Sequence, residues 1–129
     1  MKLCTDLEQS KKLAEILPLE STDMYYKYVL PKSNKISHVP EIGNPVNSLK
    51  WYNEGYTFRG KREPITLNEY CVPCWSLAAL LDVYPMVVGR DLDMYCCWVN
   101  DKNLHSRHYN NPIDACYEII LKLNELEIL

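Results

Sequence analysis

The stretch Met94-Tyr95-Cys96-Cys97-Trp98-Val99 decides how this chain reads. Successive side chains of a strand face opposite sides. Met94, Cys96 and Trp98 therefore share one face, and Tyr95, Cys97 and Val99 the other. Both faces are apolar, the pattern of an internal strand covered on two sides. The run Asn100-Asp101-Lys102-Asn103 ends it with turn chemistry. Downstream, Asn111 is placed to cap a helix that has Pro112 first and Asp114 in its first turn. Ile113, Cys116, Tyr117, Ile120, Leu123 and Leu126 recur at helical spacing over 113–126 and form one apolar stripe.

Upstream, Trp75, Leu77, Ala78, Leu80 and Leu81 are apolar around much of a helix expected over 73–82, opened by Pro73 and closed by Pro85. Thr66 and Glu69 fit the capping box of a turn before it. An N-terminal helix is expected after Asp6, with Leu7, Leu13, Ala14, Ile16 and Leu17 on one side and Pro18 as its stop. Met24 to Leu30, rich in Tyr and Val, reads as a strand. Residues 31–47 are broken by Pro31, Pro40, Gly43 and Pro45 and read as irregular. The stretch 45–58 fits a short helix opened by Asn44-Pro45, or a hairpin turning through Asn53-Glu54-Gly55. The hairpin is preferred, because Tyr56, Thr57 and Phe58 favour a strand. The whole reads as one α+β domain over 1–129, a small, mostly antiparallel sheet of about three to five strands packed by two or three helices.

Composition agrees with one core. The chain has 129 residues, 47% apolar and 24% charged, ordinary values for a globular domain. Ten tyrosines stand against one phenylalanine, which suits half-buried strands and binding surfaces alike. The first residues carry no apolar signal core, and the longest apolar run, Leu77 to Leu81, is far short of a membrane span. A cytoplasmic location is the expectation, with no membrane contact and with the six cysteines as thiols. The net charge of −3 is unevenly spread. Lys27, Lys32, Lys35, Lys50, Arg59, Lys61 and Arg62 face only Glu41 and Glu54 within 27–62, a local +5 that leaves −8 elsewhere. Such a split points to an anionic partner or to a solvated basic segment.

Two blocks carry a resemblance. Pro73-Cys74-Trp75-Ser76-Leu77-Ala78-Ala79-Leu80-Leu81 and Asn111-Pro112-Ile113-Asp114-Ala115-Cys116, with the closing Lys122-Leu123-Asn124-Glu125-Leu126, resemble a family of uncharacterised small proteins of bacterial genomes and their phages. The resemblance covers most of the chain. It implies a bacterial cytoplasm and a mobile-element accessory role, and no activity or site residues.

Cys71-Val72-Pro73-Cys74 is the sharpest local motif. It looks like the Cys-x-Pro-Cys motif of thioredoxin-like proteins, where a thiolate at a helix N-terminus is favoured by the dipole. The preceding Pro64 to Glu69 is not the apolar strand that fold needs, and buried thiols are the simpler reading. Cys71 and Cys74 also have structural-zinc spacing, and His105 and His108 offer two imidazoles, so a zinc site is a further alternative. Trp51, Tyr52, Tyr56, Phe58, Arg59, Lys61 and Arg62 combine rings with cations. They suit a single-stranded nucleic acid, or a protein partner anchored by Trp51, Tyr56, Arg59, Lys61 and Arg62. The acidic balance of the chain favours the protein. No catalytic constellation, phosphate-binding glycine loop or nucleophile elbow is present. The leading expectation is a non-catalytic interaction protein.

Overall fold

The computed structural model of the protein describes residues 2–29, 37–43 and 71–129. Among them lie three α-helices, α1 (Leu7–Ala14), α2 (Leu77–Leu81) and α3 (Pro112–Glu125). Six strands form two antiparallel sheets. The first has the order β2-β1-β3, with β1 at Met24–Val29, β2 at Ser37–Ile42 and β3 at Cys71–Cys74. The second is the meander β4-β5-β6, with β4 at Val87–Asp91, β5 at Met94–Val99 and β6 at Leu104–His105. The α+β class, the antiparallel pairing and the internal position of 94–99 hold.

Two stretches fold differently from the sequence expectation, and proline explains both. Residues 37–42 form β2, although 31–47 read as irregular. Pro73 does not open a helix over 73–82; it lies within β3, and the helix begins only at Leu77, capped by Ser76. Pro40 and Pro73 sit on the two outer strands of the first sheet, opposite Tyr26 and Tyr25 of β1. Consecutive residues of β1 direct their N–H and C=O groups to opposite sides, so both prolines can occupy pairs that need no ladder bond from them. A proline on each outer strand also withholds a donor from further pairing. The hairpin-or-helix alternatives for 45–58 and the capping box at Thr66 and Glu69 lie outside the described residues.

The N-terminus extends this sheet beyond Pro73. Cys4 bridges Ser76, and Thr5 N–H donates to the Trp75 carbonyl at 2.9 Å. Thr5 is fully buried, and its Oγ1 accepts from Trp75 N–H at 3.2 Å and lies 2.7 Å from Ser10 Oγ. Every buried polar side-chain atom among the described residues has a partner. Asp6 caps α1 through a capping box with Gln9.

The main core lies between α3 and the second sheet. Ile113, Ala115, Cys116, Ile119, Ile120 and Leu123 of α3 pack with Cys97 and Val99 of β5, Trp75, Leu80 and Leu13. A second cluster joins Cys4, Met24, Cys74 and part of Tyr26.

Thr5 ties three elements through one hydroxyl. We expect Thr5→Val, which keeps the shape but removes the acceptor of Trp75 N–H, to cost about 1–3 kcal/mol. Urea unfolding followed by circular dichroism would read it; an unchanged midpoint would mean that the hydroxyl contributes nothing.

Candidate functional site

Register in the second sheet separates two faces. Val88 pairs with Cys97 and Val99 with Leu104, and these residues turn to α3 and the core. The opposite face carries Val87 against Trp98, Gly89 against Cys96, Asp91 against Met94, and His105 against Trp98. Cys97 and Val99 are buried, whereas Val87 and Met94 are 42% and 38% exposed and Cys96 and Trp98 are half-buried. The expectation that both faces of 94–99 are covered is therefore corrected. Among the described residues α3 covers one, and the other is a partly open apolar surface, here the outer face.

Trp98 is packed against Gly89 on that surface. A Cβ built on Gly89 would come within 2.7 Å of its Cη2 and 2.8 Å of its Cζ3. Glycine at 89 is what lets the indole lie across β4. An aromatic ring so placed is a preformed contact surface with little rotamer freedom left to lose.

The β4–β5 turn limits this face at one end. Asp91 and Met94 close a two-residue hairpin whose first central residue, Leu92, has φ +55°. Arg90 Nε donates to the Leu92 carbonyl at 2.9 Å, and its guanidinium stands 6.0 Å from the Tyr95 ring centroid. His108 Nε2 lies 4.0 Å from Asp91 Oδ2.

On the other side of the hairpin, Lys2, Arg90, Asp93, Tyr95, Asn110 and Asn111 line an open cleft of about 420 Å³. Much of its polar chemistry is spent internally. Lys2 Nζ donates to Asp114 Oδ1 at 2.7 Å, Gln9 Oε1 at 2.8 Å and Asp6 Oδ2 at 3.3 Å, the full donor capacity of an ammonium. Asn111 caps α3 by accepting from Asp114 N–H and donates to Asp114 Oδ2. Burial pushes the Asp114 carboxyl up, but the bonds from Lys2, Gln9 and Asn111 outweigh it and hold it low. The cleft is chiefly the seam where the N-terminus closes onto α3.

A second polar cluster fixes the segment after β6. Glu118 Oε1 accepts from Arg107 Nε at 2.7 Å and from Tyr109 Oη at 2.8 Å, while Oε2 accepts from Arg107 N–H at 2.8 Å. Lys122 stands 3.4 Å from Oε2 and donates to the His105 carbonyl. Burial pushes the Glu118 carboxyl up, yet these bonds and the Lys122 charge pull it down to about 2.

The thiols divide by location. Cys71 and Cys74 lie on β3, not at the start of a helix, so the dipole argument for a low thiolate pKa is removed. Cys74 is fully buried with Cys4, Met24 and Tyr26. His105 and His108 are exposed and belong to the second sheet and the segment after it. Among the described residues, no three His, Cys, Asp or Glu side chains come together as a metal site. Cys97 and Cys116 share a hydrogen bond in the core. It lowers Cys97, while the bond and burial push Cys116 well up. Both thiols are fully buried in the core. Trp51, Tyr56, Arg59, Lys61 and Arg62 lie outside the described residues.

The outer face was concealed in the sequence by its own apolar character, which reads as core. The Gly89–Trp98 contact crosses two strands and has no local signature. Comparisons of the chain with family models, with curated proteins and with solved structures give no match. Among the described residues, no helix is long and apolar enough to cross a membrane.

Two measurements test this geometry. Gly89→Ala drives a methyl into the indole, and we expect a cost of about 1 kcal/mol or more, with the ring lifted from the sheet. The indole N–H resonance of Trp98 would shift; an unmoved resonance would contradict the contact. The Glu118 carboxyl is held below its ordinary 4.5, so its contribution is present above that value and fades as pH falls toward 2. Glu118→Gln should flatten the loss of stability between neutral pH and pH about 3, seen by denaturant unfolding at each pH.

Proposed function

We propose that the protein is a small non-catalytic interaction protein that binds a protein partner through the outer face of the β4–β5 hairpin. The observation that carries this reading is Trp98 lying across Gly89, with Val87, Cys96 and Met94 on the same face, a sheet face that no helix covers among the described residues. Rings already ordered in the free protein lose little entropy on binding, and Trp is prominent among residues that dominate interface energy. An open apolar stripe of this kind costs solubility unless something uses it.

The setting proposed for this role is a bacterial cytoplasm, as an accessory protein of a mobile element, on the strength of the Pro73–Leu81 and Asn111–Cys116 blocks alone. The basic aromatic segment 50–62 is proposed as a second contact region.

The test compares affinity capture from source-cell extract by the wild-type chain, by Val87→Lys with Met94→Lys, and by Arg59→Glu with Lys61→Glu and Arg62→Glu. Both Val87 and Met94 are already part-exposed, so the fold should survive the change. We expect the first double variant to lose at least ten-fold in recovery of the main partner, with an unchanged circular dichroism spectrum. Equal recovery by wild type and that variant would refute the hairpin face. Loss in the triple variant alone would move the interface to 50–62.

A further inference from the structure

β4 is an outer strand of the second sheet, and its free side is an unused ladder. On β5, Tyr95 exchanges both backbone bonds with Tyr109, and the Cys97 carbonyl accepts from Ser106 N–H. Tyr95 and Cys97 thus direct their backbone groups away from β4. Their pairing partners, Arg90 and Val88, must direct theirs away from β5. Among the described residues nothing bonds the N–H or C=O of Val88 or Arg90 from that side. The Arg90 side chain is folded toward the turn, with Nε on the Leu92 carbonyl at 2.9 Å. Pro40 and Pro73 blunt the outer strands of the first sheet, whereas β4 has no proline and keeps both donors.

An unpaired ladder takes an extended chain, and β4 is complementary to itself. The strand is five residues long, bounded by the Leu92-Asp93 turn at one end and preceded by Pro85-Met86 at the other. In a two-fold antiparallel pair the bonded residues must be outward-facing ones, which leaves three registers. Val88 against Val88 sets Arg90 beside Met86, outside the strand. Arg90 against Arg90 sets like charges opposite each other and puts Val88 beside Leu92 in the turn. Val88 against Arg90 satisfies the outward N–H and C=O groups of both residues on both copies and uses the whole of β4. That register puts Gly89 against Gly89 on the axis, a non-bonded pair with Cα atoms about 4.5 Å apart. Trp98 already reaches this outer strand, with Cη2 and Cζ3 at 2.7 and 2.8 Å from the place of a Gly89 Cβ. We propose that two copies of this chain pair antiparallel through β4, Val88 against Arg90. The pairing makes one continuous sheet and brings both Trp98 rings together over the glycine pair. It needs no further protein on the outer face.

Sedimentation velocity of the full wild-type chain, over a roughly hundred-fold range of concentration, should show its mass rising from one chain toward two. Arg90→Pro removes an outward donor while leaving the β4–β5 bonds in place, and should weaken self-association about ten-fold or more. Arg90→Ala keeps the N–H and should associate as the wild type does. The register is tested by mixing a chain carrying Val87→Cys with one carrying Asp91→Cys under mild oxidation. Positions 87 and 91 face each other across the proposed axis, and both are exposed, so the fold should survive either change. Peptide mass spectrometry should find the 87–91 disulfide in the mixture, and no link between two copies of either variant alone at its new cysteine. Should Arg90→Pro fail to fold by circular dichroism, the cross-link decides. A single-chain mass at every concentration would overturn the proposal, and would mean that the edge stays free or is covered by another stretch of the same chain. Equal loss of association in Arg90→Pro and Arg90→Ala would overturn it too, as would a dimer without the 87–91 link. A monomer that still captures a partner through the outer face would reject this inference and leave the proposed function standing.

Discussion

One helix covers one face of one sheet, and much else follows from that. α3 is the longest of the described helices, and its buried side chains, from Ile113 to Leu123, are all turned to a single apolar core. β5 is apolar on both faces, so it offers more surface than α3 can take. Cys97 and Val99 go inward. Met94, Cys96 and Trp98 go to the outer face, opposite Asp91, Gly89 and Val87. A strand that would be internal in every sense in a three-layer fold is internal here only along the sheet. What looks like excess hydrophobicity in the sequence becomes a surface.

The two sheets are joined through the N-terminus. Thr5 and Ser10 lie buried beside Trp75, which belongs to the same core as Cys97 and α3. Tyr26 Oη on β1 donates to the Thr5 carbonyl at 2.8 Å and accepts from the Cys4 thiol at 3.5 Å. Burial and that thiol push the Tyr26 hydroxyl upward, so it stays protonated and keeps donating. Lys2 then closes the chain onto Asp114 at the start of α3. Both groups are largely shielded from solvent, and the carboxylate has further bonds from Gln9 and Asn111, so the pair acts within a network. The N-terminal residues therefore bind both sheets to the last helix. The cleft they form is a by-product of that closure.

Much of this architecture was legible. Asn111-Pro112 announced α3, Asp6 announced α1, and the alternation of Met94 to Val99 announced a strand between two neighbours. Pro73 misled because proline at a helix start and proline on an outer strand obey the same rule: neither needs an N–H. The apolar run Leu77 to Leu81 lies just beyond, and a local reading merges them. Ser76, which caps α2 and donates to the Asp23 carboxylate, marks the true boundary. Pro40 hid β2 in the same way. Of the candidate site, only the membership of Trp98, Cys96 and Met94 in one face could be read. That the face stays open depends on how many helices reach it, a tertiary fact. The turn at Leu92 could not be read, because Asp91-Leu92-Asp93 lacks the glycine or asparagine by which such turns are recognised.

The cysteines show why a motif and a site are different things. Cys71-Val72-Pro73-Cys74 has the spacing of chemistry, but its backbone is that of an outer strand, and Cys74 is sealed in the second cluster. Cys97 and Cys116 lie together inside the core, bonded to each other. Cys96, unlike Cys4, Cys74, Cys97 and Cys116, is only half-buried, and its thiol donates to the Ser106 carbonyl at 3.4 Å. It belongs to the outer face, where a small polarisable group fills space beside an indole without stiffening it. The thiols of Cys4, Cys74, Cys97 and Cys116 are thus part of the packed interior. What the fold leaves partly open is a half-buried aromatic ring packed on a glycine, with Val87 and Met94 part-exposed on the same face and Leu92 exposed in the turn. All lie on one hairpin, so the physical case for recognition rests there.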